Sequence, residues 1–136
     1  MSEITIAQAQ KGIAAGLAKA AEIKSPSSIA IVDSGRNLLA FARMDGALLA
    51  SIEISKTKAY TARSLNMKTG DAMAYIQPGA PLFGMNTGHQ PPFILFGGGQ
   101  PITIGGKIVG AVGVAGGMVP DDEAIAATVA AAIEKA

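Results

Sequence analysis

The sequence predicts an α+β domain, an antiparallel sheet with helices packed on it, and two short hairpins separated by helical runs carry that reading. Residues 29–32 (Ile-Ala-Ile-Val) and 38–42 (Leu-Leu-Ala-Phe-Ala) read as strands joined by Asp33-Ser34-Gly35-Arg36, a string of turn formers. Residues 101–104 (Pro-Ile-Thr-Ile) and 107–114 (Lys-Ile-Val-Gly-Ala-Val-Gly-Val) flank Gly105-Gly106, which suits the positive φ angles of a tight hairpin. Connections this short join antiparallel neighbours. A parallel, Rossmann-type sheet needs a crossover between successive strands, and neither turn leaves room for one.

The helices follow from capping and spacing. Thr5 with Gln8 forms a capping box, and Ile6, Ile13, Leu17 and Ala20 recur at helical spacing to about Ile23. Ser25-Pro26-Ser27 ends that helix. After Met44-Asp45-Gly46 the pattern turns helical again from about Leu48 to Leu65, and Thr69 is expected to cap a short helix through Ile76. Residues 77–92, rich in proline and glycine, have no periodicity and read as a functional or interface loop. Beyond the second hairpin, Asp121 or Asp122 is expected to cap a last helix in which Ile125, Val129 and Ile133 recur every four residues.

Composition sets the outer limits. The 136 residues make one domain, 1–136, without a linker or repeat. The chain is 49% apolar but only 4% aromatic, so small side chains do most of the filling and the layers should lie close together. Small residues bury little area each, and contacts between copies in a homo-oligomer, a dimer or larger, are expected to add stability. A net charge of +1 gives no footprint for nucleic acid. With no cysteine, disulfides, thiolate metal sites and cysteine nucleophiles are excluded, and a cytoplasmic location is expected. No apolar run is long enough for a membrane span, and the N-terminus lacks the pattern of a secretory signal.

Three groups of residues can carry chemistry. His89, the sole histidine, lies in the long loop, where it can be a general base, a metal ligand or a haem axial ligand, or simply a solvated side chain. Gly97, Gly98 and Gly99 expose backbone N–H groups that suit either an anion-binding nest or a plain loop. Arg43, Lys56 and Lys58 are expected near one another, with Asp45, at the end of the second strand and on the helix after it; they can hold a carboxylate, or Arg43 and Asp45 can pair at the strand-to-helix corner. The spaced glycines Gly110, Gly113 and Gly116 lie inside a strand, not at a strand-to-helix turn, which argues against a dinucleotide fingerprint. No nucleophile elbow and no zinc-ligand spacing is present.

The runs VDSGRNLLAFARMDGA, SIEISKTKAYTAR, GGGQPITIGGKIVGAVGVAGG and the late DDEAIA resemble, in that order, the GlcG/HbpS-like family of haem-binding or haem-degrading proteins. The resemblance covers nearly the whole chain. It implies a profilin-like α/β sandwich with a central antiparallel sheet of about five strands, and homo-oligomers. It also implies a haem or similar flat, carboxylate-bearing ligand. For such a ligand His89 is the iron-side residue expected in this chain, and Arg43, Lys56, Lys58 and Gly97–Gly99 are the expected contacts. Haem-binding members can use a histidine of the first helix on the iron, whereas this chain has Gly16, Leu17 and Ala18 there and no histidine. Tyr60 and Tyr75 are the alternatives to His89. Other members accompany glycolate, diol or aromatic catabolism, which leaves open a small-molecule enzyme, lyase-type, or a non-catalytic assembly module.

Overall fold

Thr5 opens the chain's first regular element as its hydroxyl allows. In the computed structural model, which describes residues 3–136, helix α1 (Ile6–Glu22) begins on the expected capping box: the Gln8 N–H donates to Thr5 Oγ1 at 3.1 Å, and the Thr5 N–H to Gln8 Oε1 at 2.9 Å. Its buried stripe is not the one that large residues suggest. Ala9, Gly12, Gly16 and Ala20 face the interior, Ile13 and Leu17 flank them half-buried, and Ile6 is 56% exposed. A stripe this small lets α1 approach the last helix until Gly12 and Gly16 touch Val129 and Ile133.

The first hairpin joins β1 (Ser28–Asp33) to β2 (Leu38–Arg43), antiparallel, with a bulge at Ile31/Val32. Asp33 shapes the turn: its carboxylate accepts the N–H groups of Gly35 and Asn37, each at 2.9 Å. Helix α2 (Ser51–Leu65) starts later than expected, since Leu48 and Leu49 precede it and stand in solvent. Helix α3 (Thr69–Ala72) is one turn long, and Thr69 is its first residue rather than its cap. The Thr69 hydroxyl instead donates to the Phe96 carbonyl at 2.7 Å and accepts the Gly99 N–H at 2.9 Å.

The second hairpin, β3 (Gly99–Ile104) and β4 (Lys107–Ala115), turns on Gly105 and Gly106, both at positive φ as their position requires. Helix α4 (Val119–Glu134) closes the chain. Met118, not an aspartate, occupies its N-cap; Asp122 lies within the first turn, where its carboxylate takes the Gly117 N–H at 3.2 Å.

Pairing of β1 with β4 welds the hairpins into one antiparallel sheet of four strands, order β2-β1-β4-β3, one fewer than the expected five or so. Residues 93–96, apolar enough to suggest another strand, pair with none. Their polar backbone is satisfied elsewhere: the Phe93 N–H by Asn86 O, the Ile94 N–H by Thr61 Oγ1, and the Phe96 carbonyl by Thr69. The side chains of Phe93 and Leu95 close a small separate core with Ala72.

Strand alternation sorts the two faces. Ile29, Ile31, Ile102, Val112 and Val114 face α1 and α4, and burial of each side chain stabilises the fold by about 2 kcal/mol. Ala30, Val32 and Ala111 face α2 through Ala59 and Ala62. Gly113 shares that face, and any Cβ there would collide with the backbone of Ser55 and Ala59. Helix α2 therefore rests almost directly on β4. No helix of the described residues is long and apolar enough to cross a membrane.

Candidate functional site

One long helix, α2, packs on this face of the sheet, and the loop that follows comes back against that helix. Where the loop returns, His89 meets α2. Its Nε2 lies 2.9 Å from the Tyr60 hydroxyl, and its ring stacks on Phe93 with centroids 4.4 Å apart and planes 24° from parallel. Arg36 arrives from the β1–β2 turn and donates to Tyr60 Oη at 3.0 Å and Ser64 Oγ at 3.2 Å, its guanidinium 4.5 Å over the Tyr60 ring. One guanidinium nitrogen also lies 3.4 Å from His89 Nε2. Three segments distant in sequence thus converge on one tyrosine.

Arg36 holds a backbone φ of +68°, a left-handed conformation that side-chain-bearing residues adopt at a cost of about 1–2 kcal/mol. Glycine is the default at such a turn position, yet here glycine stands one residue earlier. The strain is offset by the contacts that the side chain makes with α2 and His89.

Ser34, Arg36, Arg63, Ser64, Leu65, His89 and Phe93 line a cleft of about 440 Å³, within the usual size of a small-molecule site. Arg63 spans from α2 to its C-cap, donating to Asn66 Oδ1 at 2.6 Å. Its Nε is buried and has no hydrogen-bond partner. Among the described residues the hydrogen bonds leave His89 Nδ1 unengaged, and no group of three or more His, Cys, Asp or Glu gathers as a metal site would. An unpaired guanidinium nitrogen, a second guanidinium, an imidazole and the apolar Phe93 and Leu65 suit a flat ring that carries carboxylates.

The residues expected to converge on such a ligand do not all do so. Lys56 and Lys58 are two positions apart on α2, and i, i+2 residues point to different sides of a helix. Lys56 pairs with Glu53 at 3.2 Å and lines a groove with Arg36 and Tyr60, adjoining the cleft. Lys58 points inward and is fully buried. Its Nζ donates to Val114 O at 2.8 Å and to Asp122 Oδ2 at 3.1 Å, beneath the Phe96 ring. Burial pushes the Lys58 ammonium below its usual range and the Asp122 carboxyl above its own, and their mutual attraction only partly opposes this.

Arg43 is exposed and pairs in register with Ser28, at the end of the hairpin opposite Arg36. It is the last of the six extended residues of β2, which rise about 3.3 Å each from the turn. Neither it nor Asp45 forms an ion pair among the described residues. Gly97, Gly98 and Gly99 are buried and act in packing: the Gly99 N–H is taken by Thr69, the Gly98 carbonyl accepts from the Val114 N–H at 2.9 Å, and Glu123 lies against Gly97. Gly98 and Gly99 edge a different cleft, with Lys68, Asp71 and Glu123, that shares no lining residue with the His89 cleft. The loop glycines and the histidine are therefore separate features. Arg36, Ser64, Arg63 and Phe93 are the residues that sequence reasoning missed. A bulky cation in a glycine-suited turn position was the one signal of them.

Comparison with known proteins adds to this geometry. A family model described as "Haem degrading protein HbpS-like" matches residues 4–131. An uncharacterized 15.0 kDa protein in the dhaT-dhaS intergenic region of Citrobacter freundii is 44% identical over 128 residues, covering 94% of this chain and 90% of that protein. The corrinoid adenosyltransferase PduO of Citrobacter freundii is 37% identical over 119 residues; the match covers 88% of this chain but only 36% of the longer enzyme. The crystal structure of a PduOC:Heme complex superposes with a TM-score of 0.92 at 32% identity, covering 96% of this chain and 94% of that one.

Proposed function

The chain belongs to the HbpS-like family, and on that premise we propose that it binds haem in the cleft beside α2, with His89 as the residue that meets the iron. The observation that carries the reading is the bond between His89 Nε2 and the Tyr60 hydroxyl. A histidine that ligates a metal almost always has its second ring nitrogen hydrogen-bonded to an oxygen, which fixes the tautomer and the ring's direction. The Tyr60 hydroxyl suits that role, which leaves Nδ1 as the nitrogen for a ligand. Phe93 and Leu65 supply apolar wall, and Arg36 and Lys56 stand where acidic groups of the ligand would be met. The anchoring expected of Arg43, Lys58 and the glycine loop passes to these side chains. When bound, haem would supply the redox chemistry, and its degradation is the activity that the family's description names. Similarity to the PduOC:Heme complex supports the ligand class.

A spectrophotometric titration tests this. Saturable binding with a shifted Soret band, lost in His89→Ala, is the expected result. Unsaturable uptake that His89→Ala leaves unchanged would sink the reading.

The same geometry favours one other reading, an enzyme acting on a hydroxy acid or aromatic acid. Tyr60 and His89 form an acid–base pair within hydrogen-bonding reach, and Arg36 beside them suits a carboxylate. Turnover of such acids by the purified protein, abolished in Tyr60→Phe and His89→Ala with folding retained, is the discriminating result.

The protein is also proposed to form a homo-oligomer. Leu48, Leu49, Phe83 and Met118 are each at least 65% exposed, more apolar surface than a small-cored chain has reason to leave bare. Light scattering at the mass of a dimer or larger is expected, and a monomer at micromolar concentration would refute it.

A further inference from the structure

We propose that Arg63 and Arg36 together form a carboxylate-binding subsite in the His89 cleft, with Arg63 Nε–H as its specificity-determining donor. This deepens the haem reading and rests on it only for the source of the carboxylate, a haem propionate or a free small acid.

The buried Nε of Arg63 is the only buried side-chain nitrogen or oxygen among the described residues that lacks a hydrogen-bond partner. A guanidinium N–H withdrawn from water and left unpaired costs about 1–3 kcal/mol or more, so a fold retains one where a partner arrives from outside. The side chain lines the 440 Å³ cleft, and a carboxylate there meets the enclosed Nε–H once that side chain turns toward it. Arg36 lines the same cleft and is fixed there by Tyr60 and Ser64 despite its left-handed backbone.

The charges around these two arginines complete the argument. No acidic residue lines the cleft, and neither arginine has an ion pair among the described residues. The acids nearby are engaged elsewhere. Glu3 accepts from Ser34 Oγ at 2.8 Å, Asp33 takes the N–H groups of its own turn, and Glu53 pairs with Lys56. Two unneutralised guanidinium groups, one already positioned and one with an unpaired donor, match the planar fork of a carboxylate. Ser34 and Ser64 add hydroxyls at the rim.

The test compares haem, haem dimethyl ester and succinate on the wild type and on Arg63→Gln, with Arg63→Lys as a second variant that keeps the charge but not the Nε donor. Soret titration reads the first two ligands, and the arginine Nε–H resonances of ¹⁵N-labelled protein read succinate. Haem is expected to bind about tenfold or more tighter than its ester, and both variants are expected to lose most of that ratio, Arg36 keeping the rest. Saturable displacement of the Arg63 Nε–H signal by succinate, with no haem binding, would keep the subsite, assign it a free acid and overturn the haem reading. Equal binding of haem and ester with no response to succinate would overturn the subsite and leave haem binding standing. No response to any of the three would overturn both.

Discussion

Lys58 and Asp122 meet 3.1 Å apart between α2 and the start of α4, and neither side chain reaches solvent to more than 3%. The Val114 carbonyl fills another ammonium position and the Gly117 N–H binds the second carboxylate oxygen. The pair thus joins two helices and the C-terminal end of β4.

Removing one partner should be costly. Asp122→Ala leaves an ammonium buried and unpaired, and about 3–5 kcal/mol of stability should be lost in urea denaturation, with a similar loss for Lys58→Met alone. Replacing both, as Lys58→Met with Asp122→Leu, should recover most of it. If the double variant is as unstable as either single one, the charges are needed for more than each other.

The pair should also leave a trough in the pH profile. Asp122 is raised, chiefly by desolvation, so from the ordinary carboxylate range up to its folded value the native state holds a proton that the unfolded chain has released, and stability falls as pH rises. Lys58 is lowered, again chiefly by desolvation, so between its folded value and the ordinary lysine range the unfolded chain holds the extra proton and stability rises with pH. Relative to the double variant, wild-type stability should be lowest between those two windows. A maximum there would contradict the assigned directions.

Gly113→Ala should be among the most damaging single methyl additions available. The added carbon meets the backbone of Ser55 and Ala59, which cannot rotate away as a side chain can. A loss of about 3 kcal/mol, or failure to fold, is expected in thermal or urea denaturation. Gly12→Ala, which meets only the side chains of Ile133 and Val129, should cost less.

Arg36→Gly separates binding from stability. Relief of the positive φ should offset the lost contacts with Tyr60 and Ser64, keeping stability within about 1 kcal/mol of wild type. Ligand affinity should fall at least tenfold, about the worth of one charge-assisted bond. Equal losses of both would show Arg36 to be a structural residue.

Local chemistry made much of the fold legible. The Thr5–Gln8 box, the Asp33 turn and the Gly105-Gly106 turn are each decided within a few residues, and all three form as their residues dictate. What local pattern leaves illegible is settled by partners far along the chain. Residues 93–96 have the apolar character of a strand, but their backbone is claimed by Thr61 and Thr69 across tens of residues. Lys58 looks like a surface cation until Asp122, 64 positions away, is brought to it. His89 was visible as the only histidine, while its partners Tyr60 and Arg36 stand 29 and 53 positions off. Spacing along one segment carries no trace of such meetings.

The unequal cover of the sheet has a practical consequence for anyone rebuilding this molecule. One face is sealed by two helices whose side chains interlock, and changes there propagate into the core. The other has one helix and a long loop, and lengthening a loop costs only slowly rising entropy. New specificities can therefore be written into residues 77–92 and the Arg36 turn, while the α1–α4 side is kept as an untouched chassis.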